Sequence, residues 1–198
     1  KKYKLVNLTP NGRLAPKKEI QDAFNDYVLN YYKIIKNLNI ESLLKNFVPP
    51  VIRYKEPKIN KANIKNNNRS ELPHADSWAG WTDDFLLFIL PLFGDIKNNK
   101  VRFYKVPENI KKNWLKKNNY LKANKNLKIK LESLKDNYRI GYIYIADITV
   151  PHVTVRNSNA KGRLSIDSPL QFKVKNKKNE KKFNMKNYIT SKDNFLSI

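Results

Sequence analysis

Residues 138–166 read YRIGYIYIADITVPHVTVRNSNAKGRLSI. The first half, 138–150, is dense in β-branched and aromatic residues, which suit a pleated, half-buried surface. Two short strands are predicted beyond it, over 152–155 and 162–166, joined by the turn Asn157-Ser158-Asn159. Residues 172–174 predict a last strand. Three strand-like stretches precede this region. Residues 51–54 follow Pro49-Pro50. Residues 85–92 form an apolar run between Asp83-Asp84 and Gly94-Asp95, as for a buried strand. Residues 100–106 (KVRFYKV) alternate polar and apolar.

The N-terminal part differs in period. Ile20, Phe24, Tyr27, Val28, Tyr31, Ile34 and Ile35 recur at three- and four-residue steps, predicting one helix over about 18–47 that Pro49-Pro50 stops. Residues 1–16 read as an extended entry with a turn at Pro10-Asn11-Gly12. Residues 58–69 are polar and Asn-rich, a loop. Residues 108–137 are Lys- and Asn-rich with a loose helical pattern, an insertion that is helical or irregular. Many short strands after a helix predict a mainly β fold. The expected form is a jelly roll with helical support rather than a parallel α/β sheet. A single domain is expected over 1–198. Within it, 1–50 would be helical support, 51–174 the jelly-roll core and 175–198 a basic tail.

Composition narrows the chemistry. The length of 198 residues suits one core, and 40% hydrophobic content is enough to build it. The chain has no cysteine, which excludes disulfides, iron–sulfur clusters, cysteine zinc sites and thiol nucleophiles. Only two histidines are present, so their placement matters. Lys and Arg total 40 against 17 Asp and Glu, a net charge of +23, which invites a nucleic-acid reading. Lys, Asn and Ile are all specified by AT-rich codons, however, so genome composition raises the charge without a polyanionic partner. The longest apolar run, 85–93, is too short to span a membrane and contains Pro91. The start, KKYKLVNLTPNGRL, has no stretch of signal-peptide type. A soluble cytoplasmic protein is expected, with oligomeric state left open.

Both histidines stand where metal chemistry could use them. In extended backbone, His74 and Asp76 of Leu72-Pro73-His74-Ala75-Asp76 share one face. A second imidazole, His152 from a distant strand, would complete a two-His, one-carboxylate facial triad of the non-haem Fe(II) type. Eleven residues after His152 stands Arg163, and in a strand Arg163 and Ser165 share a face. The guanidinium fork holds a carboxylate bidentately and the hydroxyl adds a donor, so the pair would form a carboxylate clamp.

The set His74-Ala75-Asp76, His152, Arg163-Leu164-Ser165 resembles the HxD…H…RxS pattern of the Fe(II)/2-oxoglutarate-dependent oxygenases, over roughly residues 50–170. The stretches PHADSWAGWTDDFLLFILPLFGD and YIYIADITVPHVTVRNSNAKGRLSID resemble the phytanoyl-CoA dioxygenase-like branch. The resemblance implies a double-stranded β-helix (a cupin-like jelly roll). It implies that His74, Asp76 and His152 bind Fe(II), and that Arg163 and Ser165 bind the distal carboxylate of 2-oxoglutarate. It also implies an O2-dependent reaction that converts 2-oxoglutarate to succinate and CO2 and hydroxylates a small-molecule substrate. The carboxylate ligand is present, which resembles the hydroxylase rather than the halogenase type. Trp78 and Trp81 would be either core or substrate-pocket wall. An anionic substrate stays open, and the 108–137 insertion is read as a solvated face, a lid or an anion patch. The other reading is a basic nucleic-acid-binding or ribosome-associated protein without enzymatic activity. It rests on the charge and on aromatics such as Phe103, Tyr104, Trp114 and Tyr120. It leaves both histidines unexplained, so nucleic acid is not the favoured partner.

Overall fold

The structure, a computed structural model, describes residues 6–8, 12–58, 71–106, 131–135 and 138–173. Among these the chain is mainly β, with antiparallel sheets and one N-terminal α-helix. The elements are β1 (Val6–Leu8), β2 (Leu14–Pro16), α1 (Gln21–Asn37), β3 (Leu44–Phe47), β4 (Val51–Lys55), β5 (Phe85–Gly94), β6 (Asn99–Phe103), β7 (Tyr144–Asp147), β8 (His152–Arg156) and β9 (Arg163–Phe172).

The larger sheet runs β3-β9-β5-β7, with β4 pairing the first half of β9 on the edge where β3 pairs the second half. The smaller sheet pairs β6 with β8. Single bridges widen it at both edges, His74 to His152 and Tyr104 to Ser133. Strand periodicity sorts the large sheet's side chains into two layers. Phe88, Leu90, Ile166 and Leu170 pack under Val28, Tyr31 and Ile35 of α1. Leu87 and Ile89, on the opposite face, pack with Val101 of β6. The result is helix on sheet on sheet. Each fully buried aliphatic in these layers contributes about 1.5–3 kcal/mol.

The predicted helix over 18–47 is shorter. A 3-10 turn at Lys18–Ile20 leads into α1, which ends at Asn37. Leu38 N–H donates back to Ile34 O, and Asn39 takes a left-handed φ of 57° that a helix cannot continue through. Leu44 and Phe47 lie off the helical stripe and are buried from β3, paired to β9. They are three apart, an odd step that regular strand alternation would put on opposite faces; a register shift between Leu44 and Asn46 goes with both of them joining the core under α1.

Two strand expectations also change. Of 138–150 only Tyr144–Asp147 is strand, since Ile140 and Gly141 form a turn and 148–150 turn again. The strand predicted at 162–166 and the start of the one predicted at 172–174 belong to one strand, β9 (Arg163–Phe172), running through Pro169; Val174 lies outside the described residues. Proline is disfavoured in a central strand because it supplies no ladder donor. Pro169 lies where the neighbour on one side changes from β4 to β3, so the ladder is already interrupted there. The 59–69 part of the predicted loop, most of the insertion (108–130 and 136–137) and the chain from 174 on lie outside the described residues. So do Pro10 and Asn11. The insertion's 131–135 segment runs beside the end of β6, where Leu134 N–H donates to Phe103 O.

Candidate metal centre

His74 and His152 form a hydrogen-bonded antiparallel pair, each donating its N–H to the other's carbonyl at 2.9 and 2.8 Å. This sets their imidazoles side by side, ring centroids 4.4 Å apart. Sequence spacing placed Asp76 on an extended strand. Instead only His74 bridges, Ala75 is extended, and Asp76 opens a 3-10 turn, Asp76–Ala79. That turn closes at Gly80 with φ 99°, a left-handed position that suits glycine. The turn is held by Ser77 N–H donating to Ile148 O at 3.1 Å. It carries the carboxylate over the two rings. Asp76 Oδ1 lies 3.8 Å from His74 Nε2 and 3.9 Å from His152 Nε2.

Three donor atoms, one from each residue, lie within 4.8 Å of one another. Bonds of about 2.1 Å call for somewhat closer donors, so binding would draw them inward. The ring orientation suits a metal. Nδ1 of His74 meets Leu72 O at 2.7 Å, and Nδ1 of His152 meets Val150 O at 3.1 Å. A carbonyl only accepts, so in each ring Nδ1 carries the proton and Nε2 turns its lone pair toward Asp76. Backbone anchoring of the outer nitrogen is the support that metal-binding imidazoles use. Burial, and then His152, pull the His74 pKa well below 6.5, which keeps the ring in its neutral, ligating form. Burial pushes Asp76 up, with His152 opposing.

The three groups face a cavity of about 640 Å³ between the two sheets. Its large-sheet wall is the inward face of β4, β9 and β5, including Arg53, Lys55, Arg163, Asp167, Leu87 and Ile89. Arg163 is 1% exposed, and among the described residues its Nε and Nη1 have no hydrogen-bond partner. Burial draws its pKa down, with Asp167 opposing. A buried guanidinium with unsatisfied donors, in the same cavity as the His–Asp–His group, is suited to an anion.

Ser165 is fully buried and does not line the cavity; its hydroxyl donates to Asp167 Oδ1 at 3.2 Å. Asp167 in turn accepts from Arg53 Nε. Burial opposes ionisation of Asp167, but Arg53 and then Arg163 outweigh it and hold the pKa below the usual carboxylate range. Sequence reasoning missed Asp167 because it ended the strand at Ile166. The alternation Arg163, Ser165, Asp167 was the available signal. It likewise missed Arg53 and Lys55, whose alternation in β4 puts both on the inner face. Arg156 is part of a buried pair. It grips Glu71 through Nη1 and Nη2, the latter at 3.1 Å, and Glu71 also lies 3.5 Å from Lys55 Nζ.

The two tryptophans part ways. Trp78 is buried at 1% exposure in the interior. Trp81 lines the cavity and, with Ile148, separates it from a smaller one of about 380 Å³ lined by Ser77, Thr82 and Asp83.

Comparison with known protein families, curated proteins and solved structures gives no match. Among the described residues no helix is long and apolar enough to cross a membrane.

Proposed function

We propose that this chain is a non-haem Fe(II)/2-oxoglutarate-dependent dioxygenase that hydroxylates a small molecule. The observation that carries the reading is the convergence of His74 Nε2, His152 Nε2 and Asp76 Oδ1, with both Nδ1 atoms tied to backbone carbonyls. Two imidazoles and one carboxylate facing a cavity suit Fe(II) and leave part of its coordination sphere for other ligands. The buried Arg163, unsatisfied at Nε and Nη1, supports a carboxylate-bearing cosubstrate in the same cavity.

Strand order supports the fold half of the reading. In a double-stranded β-helix two four-stranded antiparallel sheets face each other. The order β4-β9-β5-β7 opposite His74-β8-β6-Ser133 is compatible with that arrangement.

Bound Fe(II) with 2-oxoglutarate would supply O2-dependent oxidation of a C–H bond, with succinate and CO2 as co-products. The chain's own work is to hold and orient. His74, Asp76 and His152 would hold the metal. Arg163 would hold the far carboxylate, and Asp167 keeps Ser165 and Arg53 in place beside it. Leu87, Ile89 and Val101 give the cavity an apolar stretch of wall.

The test is anaerobic loading of the full chain with Fe(II) and 2-oxoglutarate, then exposure to air and measurement of succinate. Succinate formation that His74→Ala abolishes is expected. No metal binding by calorimetry, together with salt-sensitive RNA binding, would overturn the reading in favour of a basic nucleic-acid-binding protein.

A further inference from the structure

At the rim of the cavity the structure breaks a local rule. Arg13 and Arg53 form an antiparallel bridge, so their side chains stand directly opposite, and both line the cavity. Like charges directly opposite on neighbouring strands are destabilising. The approach that creates the pair is built in. Gly12 O accepts from Tyr54 N–H at 2.7 Å, and Gly12 has φ 84°. A Cβ at Gly12 would lie 2.1 Å from Tyr54 O, so only glycine lets the chain before β2 dock this closely on β4. Local rules broken in this way concentrate at functional sites.

Burial separates the two ends of the cavity. Arg163 and Lys55 are 1% and 3% exposed, while the Arg53 side chain is 20% exposed and Arg13 is exposed. One cationic group lies deep and the other at the mouth, with the His–Asp–His group on the small-sheet side of the same cavity. A cavity of about 640 Å³ lies within the range that takes drug-sized ligands, so it has room for more than a short keto acid. Asp167 on Arg53 Nε orients that guanidinium. A guanidinium carries five N–H donors and can hold two anions at once.

We propose that Arg13 and Arg53 form an anion subsite at the cavity mouth, and that the substrate carries a carboxylate or phosphate group gripped there. The subsite itself rests on the geometry above; calling its ligand the substrate rests on the dioxygenase reading.

The full-length protein carrying Arg163→Met, which removes the deep guanidinium of the cavity, is titrated with inorganic phosphate and, separately, with acetate, following heat by calorimetry. Saturable binding of one of them is expected in this background, and the tighter of the two identifies the group. Arg13→Glu is expected to weaken it by roughly tenfold or more, the scale of a lost charge-assisted contact. Lys36→Glu, an equal charge change on the exposed face of α1, is expected to leave it unchanged. Absence of saturable binding, or binding that survives Arg13→Glu, overturns the proposal. So does an equal loss in Lys36→Glu, which would mean general attraction to a chain of +23. Neither titration involves iron or 2-oxoglutarate. Anion binding at Arg13 without His74-dependent succinate would therefore sink the dioxygenase reading alone. His74-dependent succinate without anion binding at Arg13 would sink the subsite alone.

Discussion

Replacing Arg163 with methionine gives two opposite expectations from one side chain. Nε and Nη1 of Arg163 are buried with no hydrogen-bond partner among the described residues. Each such group costs about 1–3 kcal/mol. Methionine fills similar volume with no polar atoms, and buried charges exchanged for packed apolar residues are often neutral or stabilising. Asp167 is not abandoned by the change, because Arg53 still holds it. Arg163→Met is therefore expected to stabilise the free protein by about 1–3 kcal/mol. At about 2–4 °C per kcal/mol for a chain of this size, Tm rises by several degrees. The ligand response moves the other way. At a hundredfold excess over Kd, 2-oxoglutarate should stabilise the metal-loaded wild type by about 2.7 kcal/mol, and that increment should vanish in Arg163→Met. Differential scanning calorimetry, with and without 2-oxoglutarate and a redox-inert divalent metal, reads both effects. A variant less stable than wild type when free, or one that keeps the 2-oxoglutarate increment, would refute the reasoning, because Arg163 would then be structural.

Asp76→Ala removes the single carboxylate of the donor set. Metal affinity should fall by orders of magnitude and succinate formation should stop; unchanged turnover would mean that another carboxylate is the ligand. Lys55 gives a pH signature. Burial lowers its pKa to about 8 from 10.5, with Arg53 adding to the effect. The unfolded chain then holds more protons between these values, so stability rises with pH across them as the buried ammonium discharges. Tyr31 and Tyr32, raised to about 12, act in the opposite sense above pH 10, so the window to read is pH 8 to 10. Urea denaturation there should show a rising midpoint that is flatter in Lys55→Met, and equal slopes would count against it. Leu170→Ala empties a fully buried position between β9 and α1. It should cost about 2–5 kcal/mol, seen as a lower Tm, and a change within error would mean the layer assignment is wrong.

How much of this was legible beforehand varies with the kind of signal. The mainly β character followed from side-chain chemistry: the apolar run at 85–92 became β5 and the alternating stretch at 100–106 gave β6, while the β-branched and aromatic stretch at 138–150 kept only β7. Boundaries were not legible. Leu44 and Phe47 are three apart and share the core only with a register shift in β3, which periodicity does not announce, and Pro169 reads as a breaker until its place opposite the β4–β3 junction is known. At the candidate site, His74 and Asp76 are two apart in sequence. They meet His152 because a single backbone bridge pairs the two histidines and a 3-10 turn lifts the carboxylate. Periodicity in a chain contains neither of those.

The sequence by itself determined which groups were available. It holds two imidazoles, no thiol, and an Arg-x-Ser-x-Asp alternation, with enough apolar and β-forming residues for a layered β fold. Residue type and period two are local properties, so a string of residues carries them. The tertiary structure alone decided which groups share a cavity and in what state. It tied both Nδ1 atoms to carbonyls, turned Ser165 to Asp167, left Arg163 buried with unsatisfied donors, and set Arg13 against Arg53. Those outcomes depend on strand register and on burial, which arise only when distant segments pair and water is excluded between them.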